Sequence, residues 1–69
     1  MGNWKPALLT EGKYYLNGLT FATQEEARQI AESTFQEWTE ADGFKVVEVH
    51  EIFNPVTAKI EDGVLVIFK

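Results

Sequence analysis

The sequence predicts a two-layer α+β fold in the order β-hairpin, helix, strand, β-hairpin (ββαβββ). One amphipathic helix is expected to pack on a mostly antiparallel sheet of four to five strands. Three observations lead there. Asn17-Gly18 and Asp62-Gly63 each divide a run rich in apolar and β-branched residues, as two-residue hairpin turns with positive φ at both central positions do. Between them, Thr23 and Glu26 form a T-x-x-E capping box. The capping box opens a stretch of helical periodicity with a single apolar stripe, and such a stripe must cover one sheet face.

The chain divides on this reading into an N-terminal arm, residues 1–12, and an α+β domain, residues 13–69. Pro6 and Gly12 punctuate the arm, and Trp4, Leu8 and Leu9 are its expected contacts with the core. Ala7 to Thr10 can form a short edge strand. In the first hairpin the Asn17-Gly18 turn sets Leu16 opposite Leu19, Tyr15 opposite Thr20 and Tyr14 opposite Phe21. Alternation then directs Tyr14, Leu16, Leu19 and Phe21 to the core, and Tyr15 and Thr20 away from it.

In the helix, Ala27, Ile30, Ala31, Thr34, Phe35, Trp38 and Ala41 fall within an arc of roughly 140°. Glu25, Arg28, Gln29, Glu32, Gln36 and Glu40 lie opposite, and Gly43 is the expected residue after the C-cap. Phe44 to Phe53 reads as a strand of imperfect alternation. Phe44, Val46, Glu48, His50 and Ile52 share one side, and Lys45, Val47, Val49, Glu51 and Phe53 the other. A bulge near Val46-Val47, or burial on both faces, accounts for the pattern. Asn54-Pro55 is a turn. The Asp62-Gly63 turn pairs Ile60 with Leu65 and Ala58 with Ile67, which makes these four one apolar face.

Composition narrows the function. The 69 residues include nine aromatics and no cysteine, so neither a disulfide nor a thiolate metal site supplements the small core. Formal net charge is −5. Eight acids lie between Gln24 and Glu51, opposed there by Arg28 and Lys45 alone, which leaves −6 in this stretch and +1 elsewhere. With no basic stripe to release counterions, direct binding to nucleic acid is disfavoured, as is an anionic membrane. No apolar run is long enough for a signal peptide or membrane span, and the expected location is cytoplasmic.

No catalytic constellation emerges and no cofactor is implied. His50 is the single histidine and Ser33 the single serine, which offers no Ser-His-Asp arrangement. Glu48-x-His50-Glu51 places two ligands on one strand face but lacks a third. A small enzyme around His50 is therefore the weakest reading. The leading one is a non-enzymatic protein-interaction or regulatory module. A single helix leaves the far sheet face uncovered, and Tyr15, Phe53, Val66 and Phe68 are expected there, available to a protein partner or to self-association. The arm folding across this face is the competing expectation. The terminal strand, if it lies at an edge, offers a second route through strand pairing. An alternative is an acidic mimic of nucleic acid, an inhibitor that occupies a basic groove through Glu25, Glu32, Glu37 and Glu40.

The run Tyr14-x-Leu-Asn-Gly-x-x-Phe21-x-Thr23-x-Glu-Glu-Ala27-x-x-x-Ala31 resembles the opening of small uncharacterised phage and bacterial proteins. Trp38 to Val49, Asn54-Pro-Val56 and Glu61-Asp-Gly-Val-Leu65 are similar to short cyanobacterial and cyanophage orphan proteins. The resemblance implies a phage or cyanobacterial setting. In a phage setting, the interaction module of the leading reading is expected to act on a host protein in the host cytoplasm. The resemblance assigns no functional residue.

Overall fold

The computed structural model describes residues 2–16 and 18–68. Their secondary structure runs β1 (Gly2–Thr10), β2 (Lys13–Leu16), α1 (Gln24–Glu37), β3 (Gly43–His50), β4 (Ala58–Glu61) and β5 (Val64–Ile67). The fold is α+β with one helix among the described residues. The strands divide into two antiparallel sheets, a three-stranded one ordered β2-β1-β3 and a two-stranded one, β4-β5. A single sheet of four to five strands is not what forms.

The first correction concerns the N-terminus. Residues 2–10 are not an arm beside the domain; they form the middle strand of the larger sheet. β1 pairs with β3 from Gly2↔His50 to Leu9↔Gly43 and with β2 from Ala7↔Leu16 to Thr10↔Lys13. Pro6 is tolerated within it for a positional reason. Trp4 donates its N–H to the Phe21 carbonyl and accepts from the Phe21 N–H, both at 2.8 Å. Alternation puts the Pro6 nitrogen on that same side, past the last β2 partner, where no ladder donor is required.

The second correction concerns the first hairpin. Its turn is Glu11-Gly12, with φ of 52° and 80°, the left-handed pair that a two-residue type I′ connection needs. Tyr14, Tyr15 and Leu16 pair with Leu9, Leu8 and Ala7, and not with residues 19–21. Asn17, the first residue of the expected turn, lies outside the described residues. A glutamate in the left-handed region is costly, whereas asparagine visits it readily. Glu11→Asn should therefore stabilise the fold by about 0.5–1 kcal/mol, read as a higher urea midpoint with unchanged slope. The bond from the residue 11 backbone N–H to Asp42 Oδ2 (3.3 Å) is kept by either side chain, so no change would mean that the glutamate carries no net strain at this turn.

The re-pairing reverses which side chains face inward. Residues directly opposite share a face, so Trp4, Pro6 and Leu8 look the same way as Tyr15, Phe44 and Val46. That way is toward α1: the Phe44 ring lies 5.4 Å from Phe35, and Tyr15 lies 6.4 Å from Trp38. Tyr14 and Leu16 point away from α1, and Tyr15 toward it, though still half exposed, opposite to the expectation. β3 pairs with β1 residue for residue, without the anticipated bulge, and ends at His50. Residues 51–53 form a turn in which Phe53 N–H donates to the His50 carbonyl.

α1 begins as the capping box predicts. The Thr23 hydroxyl accepts from Glu26 N–H and donates to Glu26 Oε1 at 2.8 Å. It ends earlier than expected: Trp38 is the C-cap, Ala41 lies outside the helix, and Gly43 opens β3. Phe21, Ala27 and Ala58 are fully buried, and Trp4, Leu19, Ile30, Val46 and Ile60 pack around them.

The second hairpin has the register that the sequence predicts, Ala58↔Ile67 and Ile60↔Leu65, around Asp62 and Gly63 at φ 52° and 76°. It is fixed to the rest of the molecule through the outer edge of β4. Ala58 N–H reaches the Thr20 carbonyl, and Ile60 N–H reaches Glu26 Oε2 at 2.8 Å. Thr20 and Thr57 add a further pair of bonds.

Candidate functional site

The face of the three-stranded sheet turned away from α1 is the candidate site. Alternation from the paired positions assigns to it Asn3, Lys5, Ala7 and Leu9 of β1, Tyr14 and Leu16 of β2, and Lys45, Val47 and Val49 of β3. The Lys45 ammonium lies 3.9 Å from the centroid of the Tyr14 ring, a direct contact on this side. Both α1 and the β4-β5 hairpin pack on the other side, where Phe21, Ala27 and Ala58 meet Trp4 and Val46. Tyr14 and Leu16 are 48% and 54% exposed. At one end, Asn3 donates its amide to the Asn54 carbonyl at 2.7 Å, which fixes the turn after β3 against the rim of the face.

The face is apolar with a basic accent. Leu9, Tyr14, Leu16, Val47 and Val49 share it with Lys5 and Lys45, and the carboxylate that these strands carry, Glu48 opposite Trp4, falls on the other side. Among the described residues no ion pair reaches either lysine; the pair present is Lys59 with Glu61, 2.5 Å apart. That exposed pair lies on the second hairpin, where the Lys59 ammonium holds the Glu61 carboxyl below the usual carboxylate range, first by its hydrogen bond and then by its charge.

The four residues expected on the free face do not come together. Tyr15 is on the helix side. Val66 and Phe68 belong to the second hairpin, and Phe53 protrudes from the turn after β3, 80% exposed and 5.3 Å from the His50 ring. Thr20, also expected to face away, is buried and bonded to Thr57. Val47 and Val49, which the sequence places on the same strand side as Phe53, do lie on this face. Tyr14 and Leu16 were missed because the Asn17-Gly18 signal assigned them to the core. Gly12, read only as punctuation, was the signal that could have found them.

Tyr15 instead borders an apolar cleft between β1, β2 and the C-terminal half of α1. The cleft has a volume of about 180 Å³ and is lined by Pro6, Leu8, Tyr15, Ala31, Thr34 and Trp38, together with Leu16. The acidic set is also dispersed. Glu25 and Glu32 share one exposed helix face, two turns apart. Glu37 points about 120° away from them, and Glu40 lies in the turn beyond the helix.

His50 Nδ1 accepts the Ile52 N–H at 3.3 Å. Among the described residues no three His, Asp or Glu side chains are grouped to hold a metal ion. No helix of the described residues is long and apolar enough to cross a membrane. Comparison with protein-family models, with curated proteins and with solved structures found no match.

Proposed function

We propose that the chain is a small, non-enzymatic interaction module that binds a protein partner through the open face of its three-stranded sheet. The observation that carries this reading is the set of Leu9, Tyr14 and Leu16 at the β1-β2 end and Val47 and Val49 on β3, with Ala7 and the two lysines between them, on a face turned away from the cluster formed with α1 and the second hairpin. Apolar surface of this kind is what partner-binding proteins expose. The set lies on paired strands, so the surface is preformed and little ordering cost accompanies docking.

The test is capture of partner proteins on the immobilised chain. Tyr14→Ser/Leu16→Asn is expected to keep the fold, since both side chains are about half exposed. It should weaken capture at least tenfold, because either side chain contributes about 1.5–3 kcal/mol when covered. Glu25→Lys/Glu32→Lys should leave capture unchanged. The opposite pattern would favour the acidic nucleic-acid mimic, and undiminished capture by both variants would remove the open face from consideration.

A further inference from the structure

We propose that the partner presents an acidic, amphipathic polypeptide segment to this face, with apolar side chains over Leu9, Tyr14, Leu16, Val47 and Val49 and carboxylates at Lys5 and Lys45. The inference rests on the docking reading above and adds the chemistry of the partner. It comes from a local reversal of charge. The whole chain carries −5, yet the strand positions on this face hold two ammonium groups and no acid, Lys13 and Glu48 falling on the other side. Lys5 is half-buried in the middle strand, opposite Val47, and Lys45 lies over the Tyr14 ring.

Any segment that covers the five apolar side chains also removes water from these two ammonium groups. A desolvated charge is tolerated only when it is paired. Neither lysine has an intramolecular carboxylate partner among the described residues, so the partner must supply one for each. Complementary charge then selects and orients the segment.

The same charges argue against other occupants. Two copies packed face to face would bring four lysines together without a counter-charge. The outer face of α1 is acidic, but Glu25, Arg28, Gln29 and Glu32 give it nothing apolar to cover Leu9 and Leu16. The outer row of the second hairpin is apolar, but its Glu61 is already held by Lys59. Nucleic acid would find two cations amid five apolar side chains on an acidic protein, too few to neutralise a phosphate backbone.

The experiment pans a random linear peptide library against the full chain and against Lys5→Glu/Lys45→Glu. Enriched peptides are then synthesised and titrated. Wild type should enrich sequences that combine Leu, Phe or Trp with Asp or Glu. The charge-reversed chain should bind them at least about tenfold more weakly, and the affinity for wild type should fall with added salt. Lys5→Met/Lys45→Met keeps the apolar stems without the charge; it should lose affinity and salt dependence too, by less than the reversal because it adds no repulsion, and serves if the reversed variant does not fold. Peptides that need Tyr14 and Leu16 but carry no acidic bias would overturn this inference and leave the docking reading standing. Peptides indifferent to Tyr14→Ser/Leu16→Asn, or no enrichment, would remove both. A concentration-dependent mass in light scattering that Lys5→Glu/Lys45→Glu abolishes would assign the face to a second copy and overturn the heterologous partner. Preferential binding of a single-stranded oligonucleotide, lost in the same variant, would overturn the peptide in favour of nucleic acid.

Discussion

Phe21→Ala is expected to leave the chain largely unfolded at 25 °C. Phe21 is the largest fully buried side chain among the described residues and lies at the centre of the core cluster. It is held between the sheet, through its two backbone bonds to Trp4, and the hairpin, through Ala58. Truncating such a phenylalanine costs about 3–5 kcal/mol. A core in a chain of this size supplies about 3–5 kcal/mol of net stability in all, so the loss is comparable to the total. Leu, which fills more of the volume, should cost under about 1.5 kcal/mol. Urea titration followed by tryptophan fluorescence and far-UV circular dichroism measures both. A cooperative Phe21→Ala transition near the wild-type midpoint would mean that the core lies elsewhere. Tyr14→Ala on the open face should cost under about 1 kcal/mol, which separates a core aromatic from a surface one at nearly adjacent places in the chain.

That contrast also marks where the sequence is readable. The turn and register of the second hairpin were legible because Asp62-Gly63 sits between strands whose partners are local, and nothing competes for them. The start of α1 was legible for the same reason: Thr23 and Glu26 interact within one turn. The first hairpin was misread because two turn candidates lie six residues apart. Asn17-Gly18 has the stronger local preference, but a turn there would leave Gly2–Thr10 without β2. The Glu11-Gly12 turn lets β1 pair along one edge with four residues of β2 and along the other with eight of β3. Long-range pairing thus outweighs the cost of a glutamate at positive φ. The candidate face followed that choice, since exchanging the partner of β2 turned Tyr14 and Leu16 outward. Pro6 concealed the strand further, because a proline inside a central strand ordinarily argues against it. The gap on the β2 side that accommodates it exists only in the folded topology.

Glu26→Ala is expected to cost about 2–3 kcal/mol, more than the loss of a helix cap alone. A capping-box glutamate usually returns to the backbone at its own N-cap. Here Oε1 accepts from the Thr23 hydroxyl while Oε2 accepts from the N–H of Ile60, 34 positions away. The side chain therefore joins the first turn of α1 to the outer edge of β4, an edge that would otherwise expose unpaired backbone donors. Removing it leaves the backbone cap in place, since the Thr23 hydroxyl still accepts the N–H of residue 26, but loses the bond from that hydroxyl, about 0.5–1.5 kcal/mol, and leaves a half-buried N–H without an acceptor, at about 1–3 kcal/mol. Glu26→Gln can keep one of the two bonds and should fall between. The distinguishing measurement is hydrogen exchange at Ile60, whose amide should exchange at least tenfold faster in Glu26→Ala relative to Ala58, which retains the Thr20 carbonyl. A double-mutant cycle with Thr23→Ala then separates the two roles, because the Ile60 bond should survive loss of the Thr23 hydroxyl. If Glu26→Ala costs no more than Thr23→Ala, and Ile60 exchange is unchanged, the bond across the two layers contributes nothing net. The second hairpin would then be held by Thr20, Thr57 and the packing of Ala58 and Ile60.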